Sequence, residues 1–369
     1  MSITIPDLFI IFKISNRTVP IDNDLRCIII WLREYKYCYN TFVTYRVIVL
    51  RFYLWLKYNG LTLKTINKYY LLSYSEFIKA PDPDWCNIHR KKFSDPDWKP
   101  FQKSLSNKSV YSNLLVIKSM FKYLFHSNML EYNPFFFKIK NDSITYNSLV
   151  KQSKYLTEAE FQYIIDFIEK IPNSSLKIKD GKVRILWIFK LLFYTGCRRS
   201  EIVNSSMNDI KVINRRIWLQ VIGKGNKVGL IPIPTELAIA LNEYRNYYGL
   251  PSIHNRNSNE INIPLIILHK SNNQFSPISS SHLWYIVKSV CLLIAETTTN
   301  PILKAKLDKT SPHWFRHSAA TAQIDQGINI KIVQQNLRHT SIETTMKYLH
   351  LDNDLRHQAT INFGSKSKT

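Results

Sequence analysis

A stretch near the end of the chain, from Ser311 to His350, constrains the fold and the chemistry more than any other part of the sequence. It reads SPHWFRHSAATAQIDQGINIKIVQQNLRHTSIETTMKYLH and groups four histidines and Arg316 with a single tyrosine, Tyr348. His313 and Arg316 are three residues apart, so a helix would present both on one face. His339 precedes Tyr348 by nine residues. Cations and proton donors followed by one hydroxyl nucleophile indicate attack on a phosphodiester.

Two further motifs lie upstream in the chain. Residues 195–201 read TGCRRSE, and residues 223–227 read GKGNK between two apolar runs. With H-x-x-R at 313–316 and L-R-H-x-S-x-x-T-T-x-x-Y at 337–348, they resemble the tyrosine recombinase family of the phage integrase type. The motifs of that family are T-G-x-R-x-S-E, H-x-x-R and L-G-H-x-S-x-x-T-T-x-x-Y, with a lysine hairpin between the first two. Any one motif alone would be weak, but all of them in order across the second half of the chain are specific.

The resemblance implies a catalytic set and a reaction. The motif positions fall on Arg198, Lys224, His313, Arg316, His339 and Tyr348. Tyr348 would be the nucleophile and would form an O-(3′-phospho-DNA)-tyrosine intermediate with a free 5′-hydroxyl. Lys224 would protonate the leaving oxygen, and it is favoured over Lys227 because it is the first lysine of Gly-Lys-Gly. The phosphotyrosine linkage conserves the energy of the phosphodiester, so neither ATP nor a metal is expected.

The chemistry of the reaction agrees with the two arginine assignments. The transition state of phosphoryl transfer carries extra negative charge on its non-bridging oxygens. A guanidinium stays protonated and donates two parallel hydrogen bonds, which suits Arg198 and Arg316 to that task. The alternative for Arg198 is a salt bridge at a helix end, with Glu201 as partner. The same alternative is stronger for Arg199.

The histidines have structural alternatives as well. Histidine titrates near neutral pH, so His313 and His339 are candidates for donors to the phosphate or for proton transfer. Either one could instead be a buried histidine with its hydrogen bonds satisfied. His317 follows Arg316 directly and is expected to point elsewhere, so it is assigned a structural role.

Tyr348 is one of 21 tyrosines in the chain, most of which are expected to pack. A free phenol has a pKa of about 10, so a tyrosine nucleophile needs neighbouring cations or a base. The spacing from His339 distinguishes Tyr348 from Tyr194 and Tyr285, which have no such setting. One position departs from the family pattern: Arg338 stands where glycine is usual. This arginine could change the local geometry or add a phosphate contact.

The charge of the chain indicates a polyanionic partner. The formal net charge is +23, and residues 1–150 contain 21 Lys and Arg against 11 Asp and Glu. The remaining residues contain 29 against 16, so the basic excess belongs to both halves and not to a tail. Double-stranded DNA is the simplest partner for two basic lobes. The alternative is a solvated basic surface without a partner.

Several classes of protein are disfavoured by the sequence. The five cysteines are scattered and lack C-x-x-C spacing, so they indicate neither a zinc site nor a disulfide framework. The N-terminal apolar run is too short to span a membrane and has no signal-peptide cleavage site. No P-loop motif and no acidic cluster suited to two-metal catalysis is visible in the sequence. We therefore predict a cytoplasmic protein without a membrane segment, metal or other cofactor.

The hydrophobic patterns predict a mainly α (α+β) fold with one small antiparallel sheet. The expected division is a leader at 1–19, an α-helical domain at 20–138, a linker at 139–156 and a catalytic domain at 157–369. In the resemblance, the first domain is the core-binding (SAM-like) domain, and the two domains close round DNA as a clamp. The predicted helices are Asp24–Tyr37, one capped by Asn40 and ending near Asn59–Gly60, Ser106–His126, one opening at Thr157, Lys182–Thr195, Thr235–Tyr247 and Ser281–Glu296. The predicted strands are Arg216–Ile222 and Val228–Ile233, with Pro232 at a sheet edge.

Three segments of the sequence lie outside the motifs. The second helix carries basic residues mostly off its apolar stripe, namely Arg46, Arg51 and Lys57. They could meet phosphates, and the alternative is that each is a solvated single charge. Residues 80–100 predict a long loop pinned by two tryptophans, and the alternative is that its basic tip, 90–92, touches DNA. Residues 297–310 are longer than the family connection, and we expect a surface insertion there.

Together these observations predict a site-specific DNA recombinase or integrase of a mobile element, working as a homotetramer on two duplexes. The alternatives are DNA relaxation of the type IB topoisomerase kind and a non-catalytic DNA-binding relative. The intact catalytic set argues against the second alternative. The lysine hairpin and the T-G-x-R-x-S-E motif argue against the first. The tail after Tyr348 is apolar and then basic, and it is too short to bury its apolar residues alone. The family resemblance implies that it docks on a neighbouring subunit, and the alternative is packing on its own domain.

Overall fold

The computed structural model describes residues 22–89, 91, 95, 97–136, 154–223, 226–256, 260–271, 274–346 and 348. The chain divides into two compact units, Met1–Lys151 and Gln152–Thr369. Each unit has its own hydrophobic core. The predicted fold class is confirmed, because helices dominate both units and the strands form small antiparallel sheets.

The first unit is built from helices around an aromatic-rich core. Its helices are α1 (Asn23–Arg33), α2 (Tyr39–Tyr58), α3 (Lys68–Lys79) and α4 (Asn107–His126). Asp22, Asn67 and Ser106 cap α1, α3 and α4, since each side chain accepts a hydrogen bond from an N–H of the first turn. Phe52, Tyr74 and Phe121 meet edge to face in the core, with ring centroids 5.0 and 6.0 Å from Phe52.

Two helix limits in this unit differ from the prediction. Helix α1 ends at Arg33, because turns replace the helix at residues 34–37. Helix α2 begins at Tyr39 with Cys38 as its cap residue, so Asn40 lies inside the helix and does not cap it. Helix α3 was not predicted. The predicted end of α2 is confirmed, with Gly60 in the left-handed region at φ 66.

The basic residues of α2 are less free than the sequence suggested. Arg51 donates from Nε to the carbonyl of Pro100 at 2.7 Å, and its guanidinium lies 4.7 Å from the ring centre of Phe101. Lys57 pairs with Asp22 and Asp24. These two side chains therefore stabilise the unit itself. In the long loop, Trp85 and Trp98 both pack against the core, as predicted; residues 90 and 92 of its basic tip lie outside the described residues.

The second unit combines helices with two small sheets. Its helices are α5 (Glu158–Glu169), α6 (Leu176–Thr195), α7 (Arg199–Val203), α8 (Thr235–Tyr247), α9 (Ser280–Thr297), α10 (Pro301–Leu307), α11 (Pro312–Asp325), α12 (Ile330–Leu337) and α13 (Ile342–Met346). Its strands are β1 (Ile210–Ile213), β2 (Arg216–Ile222), β3 (Val228–Pro232), β4 (Ile267–Ser271) and β5 (Gln274–Pro277). The capping box at Thr157 is present, with Glu160 bonded to the Thr157 backbone at 2.8 Å.

The first sheet has the antiparallel order β1-β2-β3. Strand β3 is therefore an edge strand, which accommodates Pro232, as predicted. Leu219, Val221 and Ile231 point into the core of the unit. The β2–β3 hairpin closes with a bond from the N–H of Gly223 to the carbonyl of Lys227 at 2.8 Å.

Residues 297–310 are more than a surface segment. Helix α10 lies within them and buries Leu303 and Leu307 in the core. Lys306 pairs with the Glu160 carboxylate at 2.6 Å, so the segment also stabilises the start of α5. The expectation of a surface insertion was wrong in this respect, because leucines at i and i+4 give α10 an apolar face.

A buried ion pair fixes the loop after α8. Arg245 is 0 % exposed and Glu260 is 1 % exposed. The two terminal nitrogens of Arg245 donate to the two carboxylate oxygens of Glu260 at 2.8 and 2.7 Å, and Nε donates to the carbonyl of Pro251 at 2.8 Å. This bidentate geometry satisfies both buried charges.

Candidate active site

The end of α6 lies against the two helices that carry the histidine-rich stretch. Gly196 takes the left-handed conformation, φ 58, and its N–H bonds to the carbonyl of Leu192. A Cβ at this position would lie 2.6 Å from Cδ2 of Leu337 and 3.0 Å from Cβ of Ala319. Glycine therefore permits both the turn of the backbone and the close approach of α11 and α12.

Arg316 on α11 is buried inside this junction and is only 3 % exposed. Its Nη1 donates to the carbonyl of Gly196 at 2.7 Å, and its Nη2 donates to the carbonyl of Leu337. Burial and the nearby charge of Arg198 lower the pKa of Arg316 to about 10, so the group stays protonated at neutral pH. Two carbonyls from different elements thus fix the orientation of one buried cation.

Arg198 precedes α7, and both its backbone N–H and its guanidinium donate to the carboxylate of Glu201. The N–H of Arg198 donates to Oε2 of Glu201 at 2.7 Å, and Nη1 donates to Oε1 at 2.9 Å. The Glu201 side chain is 2 % exposed, whereas that of Arg198 is 41 % exposed. Burial alone would raise the pKa of Glu201, but the bonds from Arg198 and the charge of Arg338 outweigh it and lower the pKa. The salt bridge that the sequence offered as an alternative is present, and it anchors a guanidinium that still faces solvent.

Arg338 ends α12 in the left-handed region, at φ 54 and ψ 48. A non-glycine residue there costs about 1–2 kcal/mol, which is why glycine is common at such helix ends. The backbone therefore keeps a conformation typical of glycine, and the departure from the family motif does not alter the helix end. The side chain donates from Nη2 to Oε2 of Glu201 at 2.5 Å, so Arg198 and Arg338 share one carboxylate.

Three histidine rings and Tyr348 form a row beside these arginines. The ring centres of His313 and His317 are 4.6 Å apart, and those of His317 and Tyr348 are 5.2 Å apart. On the other side, His339 stacks on Tyr348 at 6.2 Å with an interplanar angle of 18°. The row therefore places the tyrosine between His317 and His339.

His317 was assigned away from the site, and that interpretation was wrong. It is four residues after His313 on α11, so both rings lie on one face of the helix. The same spacing argument that grouped His313 with Arg316 would have included His317, and the adjacency to Arg316 in sequence obscured it.

The histidines are neutral at neutral pH. Burial, His313 and Arg316 lower the pKa of His317 to about 4. Burial, Arg316 and Arg198 lower the pKa of His339 to about 4, and burial followed by Arg316 lowers the pKa of His313. The sequence predicted that His313 and His339 donate to the phosphate or transfer protons, and neutral imidazoles beside fixed arginines are donors and acceptors of hydrogen bonds.

Thr345 orients His339, a contact that sequence reasoning did not single out. Its Oγ1 lies 2.8 Å from Nδ1 of His339, and Thr345 is fully buried on α13. The carbonyl of Thr345 accepts the N–H of Tyr348 at 3.0 Å. Thr345 therefore bonds to both His339 and Tyr348.

Tyr348 is half-buried against Ala320, Val333 and Leu337. Burial raises the pKa of its hydroxyl, and Arg316 offsets this effect in part. By contrast, Tyr285 is 64 % exposed on α9. At neutral pH the hydroxyl of Tyr348 is therefore protonated, and its oxygen becomes a strong nucleophile only if a base takes the proton.

Some predicted features cannot be placed in the structure. Lys224 lies outside the described residues, as do residues 349–369 of the tail. Across the described ranges, no group of three or more His, Cys, Asp or Glu side chains is arranged to hold a metal ion. Within the same ranges, no helix has the length and apolar character needed to cross a bilayer.

The sequence of this chain is similar to that of known proteins over much of its length. Residues 154–354, more than half of the chain, match the model of the phage integrase family. The tyrosine recombinase XerD of Haemophilus influenzae is 26% identical over 253 residues, which cover 68% of this chain and 74% of that protein. A tyrosine recombinase of Thermosipho africanus is 28% identical over 236 residues, with 64% and 69% covered.

Two solved structures share the fold. The Tn1549 transposon integrase in complex with circular intermediate DNA superposes with a TM-score of 0.61 at 18% identity, covering 91% of this chain and 98% of that one. The XerH site-specific recombinase bound to difH substrate in a pre-cleavage complex gives 0.58 at 18% identity, covering 95% and 91%.

Proposed function

This chain belongs to the phage integrase family and is a tyrosine recombinase that acts on DNA, and on that premise we propose that Tyr348 is its nucleophile. The observation that carries the proposal is the position of Tyr348 between His317 and His339, beside the buried Arg316. The proposed reaction is site-specific cleavage and rejoining for the integration or excision of a mobile element, in the cytoplasm.

In the proposed reaction, Oη of Tyr348 attacks the scissile phosphorus while the bond from phosphorus to the 5′ oxygen breaks. The products are a 3′-phosphotyrosyl linkage and a 5′-hydroxyl. The 5′-hydroxyl of a partner strand then attacks the same phosphorus and releases the tyrosine. The number of phosphodiester bonds is unchanged, so the exchange needs no external energy source.

Two guanidiniums would stabilise the charge that develops on the phosphate. Arg316 uses one N–H of each terminal nitrogen for a backbone carbonyl, which leaves the second N–H of each for the ligand. Arg198 is held on one side by Glu201 and is exposed on the other. Prepositioned donors of this kind stabilise a transition state without reorganisation during the reaction.

The proton transfers would involve neutral histidines and the hairpin lysine. When the Thr345 hydroxyl donates to Nδ1 of His339, the proton of that ring resides on Nε2, where it can reach a phosphate oxygen. His313 would contribute a second neutral donor. The proton of the Tyr348 hydroxyl would pass, as Oη attacks, to the unprotonated nitrogen of a neutral imidazole in the row of rings, and it would return to Oη when the tyrosine is released. We assign Lys224 as the general acid for the leaving 5′ oxygen, on the basis of its place in the family motif.

The proposal is tested by trapping the covalent intermediate. The chain is incubated in excess EDTA, without nucleotide, with a nicked duplex that carries the ends of its own element. On this suicide substrate the cleaved fragment diffuses away, so an adduct that survives denaturation should accumulate. No adduct with or without magnesium would overturn the assignment of a tyrosine nucleophile. Activity that requires magnesium would overturn the metal-free mechanism.

We further propose that the active assembly is a homotetramer on two duplexes, because strands from two cleaved duplexes must exchange partners. A depression of about 330 Å³ on the second unit supports this proposal. Apolar side chains such as Phe193, Ile231 and Ala322 line it, together with Glu158 and Glu236. This combination complements a tail with apolar residues and a basic end, so we assign the depression to the tail of a neighbouring copy.

A truncation after Asp354 tests the assembly. We expect retained cleavage of the suicide substrate but loss of recombination, measured separately on the same preparation. Ala322→Trp should reproduce this result with the tail intact, because the indole would fill the depression. Recombination that is unchanged in both variants would exclude docking of the tail in trans.

A further inference from the structure

The side chain of Arg338 reaches from the end of α12 to the carboxylate that anchors Arg198. The helix end is a Schellman motif, in which the N–H of Arg338 bonds to the carbonyl of Gln335 at 2.9 Å and the N–H of His339 bonds to that of Gln334 at 3.0 Å. The side chain is 15 % exposed. It therefore belongs to the interior of the site, although the residue occupies a position where most side chains would be strained.

Strand β3 provides the space for this side chain. A Cβ at Gly229 would lie 2.4 Å from Cδ and 3.3 Å from Cγ of Arg338. Both atoms are in the middle of the side chain, so the tip could not simply rotate away. The absence of a side chain at position 229 is therefore what allows Arg338 to cross the hairpin and reach Glu201.

The charges around Glu201 explain what Arg338 can do. Glu201 is buried and accepts bonds from both Arg198 and Arg338. Without Arg338, the carboxylate would face Arg198 alone and would neutralise most of its charge. With Arg338 present, one negative charge is divided between two guanidiniums, and the positive charge of Arg198 is retained.

Glu201 is the acceptor that holds Arg338. Among the residues that the structure describes, Nε and Nη1 of Arg338 are buried and have no hydrogen-bond partner. Glu201 is thus the one carboxylate that an ion pair of Arg338 reaches among the described residues.

We propose that Arg338 is a positioning residue of the recombination reaction: by sharing Glu201 with Arg198, it keeps the charge of Arg198 directed at the scissile phosphate. The inference rests on the proposed role of Arg198. It does not require Arg338 to touch DNA.

The test compares cleavage rates of Arg338→Gln, Arg338→Lys and Gly229→Ala on the suicide substrate. Arg338→Gln should slow single-turnover cleavage by about 10- to 100-fold, while DNA affinity stays within about threefold. Arg338→Lys should recover part of the rate, because it restores the charge. Gly229→Ala should slow cleavage with Arg338 itself intact, since the new methyl displaces the side chain.

Arg215→Gln is the matched control. Arg215 is also a non-glycine residue in the left-handed region, at φ 62, and it is exposed in the β1–β2 turn. Its substitution removes the same single charge from an exposed turn. We expect no change in the cleavage rate, which separates the local effect from a change in net charge.

A double-mutant cycle distinguishes positioning from a structural role. In a Glu201→Gln background there is no carboxylate charge to share, so Arg338→Gln should cost less than threefold further. Equal losses in both backgrounds, or a cleavage rate of Arg338→Gln that matches the unmodified chain, would overturn the inference. If Arg198→Ala cleaved at the normal rate, the proposed role of Arg198, on which the inference rests, would fail, whereas loss of the adduct-forming activity itself is tested separately by Tyr348→Phe. Thermal unfolding of each variant shows whether a lost rate reflects lost folding.

Discussion

Replacement of Tyr348 by phenylalanine is expected to abolish the covalent adduct while DNA binding persists. Only one oxygen is removed, and phenylalanine fills the same space between His317 and His339. Adduct yield on the nicked suicide substrate should fall by at least about a thousandfold, since no second group can form the linkage. DNA affinity should change by less than about twofold, because phosphate contacts dominate it.

Tyr285→Phe provides the control for this experiment. Tyr285 is exposed on α9 and has no place in the row of rings. It should give the same adduct yield as the unmodified chain. An undiminished adduct in Tyr348→Phe would locate the nucleophile at another residue and refute the assignment. Mapping the labelled peptide would then identify that residue.

The second large effect is expected for Arg316→Lys. Lysine keeps the positive charge but replaces a planar fork with a single ammonium, which cannot bond to Gly196 and Leu337 and also donate two parallel bonds to phosphate. We expect single-turnover cleavage to slow by about 100- to 1000-fold. The thermal midpoint should also fall, because one of the two buried carbonyls loses its donor.

Arg245→Lys separates these two consequences. Arg245 is as deeply buried as Arg316 and also bonds to a backbone carbonyl, but it pairs with Glu260 in the loop after α8. Its substitution should lower the thermal midpoint while the folded fraction still cleaves at the normal rate. If both lysine variants lost cleavage only in proportion to unfolding, Arg316 would be a structural residue.

Local signals in the sequence predicted much of the fold. The helix that opens at Thr157, the helix that starts near Ser106 and the helix end at Thr195 depend on residues within one turn of helix, so they can be recognised without tertiary information. The two strands around the lysine hairpin were recognised for the same reason. Strands β1, β4 and β5 were not predicted. Strands this short are stabilised by pairing with a neighbour more than by their own sequence, and β3, which is equally short, was recognised only because it follows the lysine hairpin.

The candidate site divides in the same way. The motif spacing predicted His313, Arg316, His339 and Tyr348, and the structure brings them together. The bond between Arg338 and Glu201 joins residues 137 positions apart, and no local pattern could indicate it. The prediction for His317 was wrong for a different reason. Its spacing of four residues from His313 indicated that both lie on one helix face, but its adjacency to Arg316 in sequence was given more weight.

The fit of Arg338 over Gly229 also has a historical consequence. An arginine that arose at 338 while residue 229 carried a side chain would have had no path to Glu201. The contact between Arg338 and Glu201 therefore requires residue 229 to be glycine. The two positions depend on each other unequally. Loss of Arg338 leaves Gly229 without strain, whereas a side chain at 229 would collide with the side chain of Arg338. Relatives with a bulky residue at 229 should therefore lack the arginine.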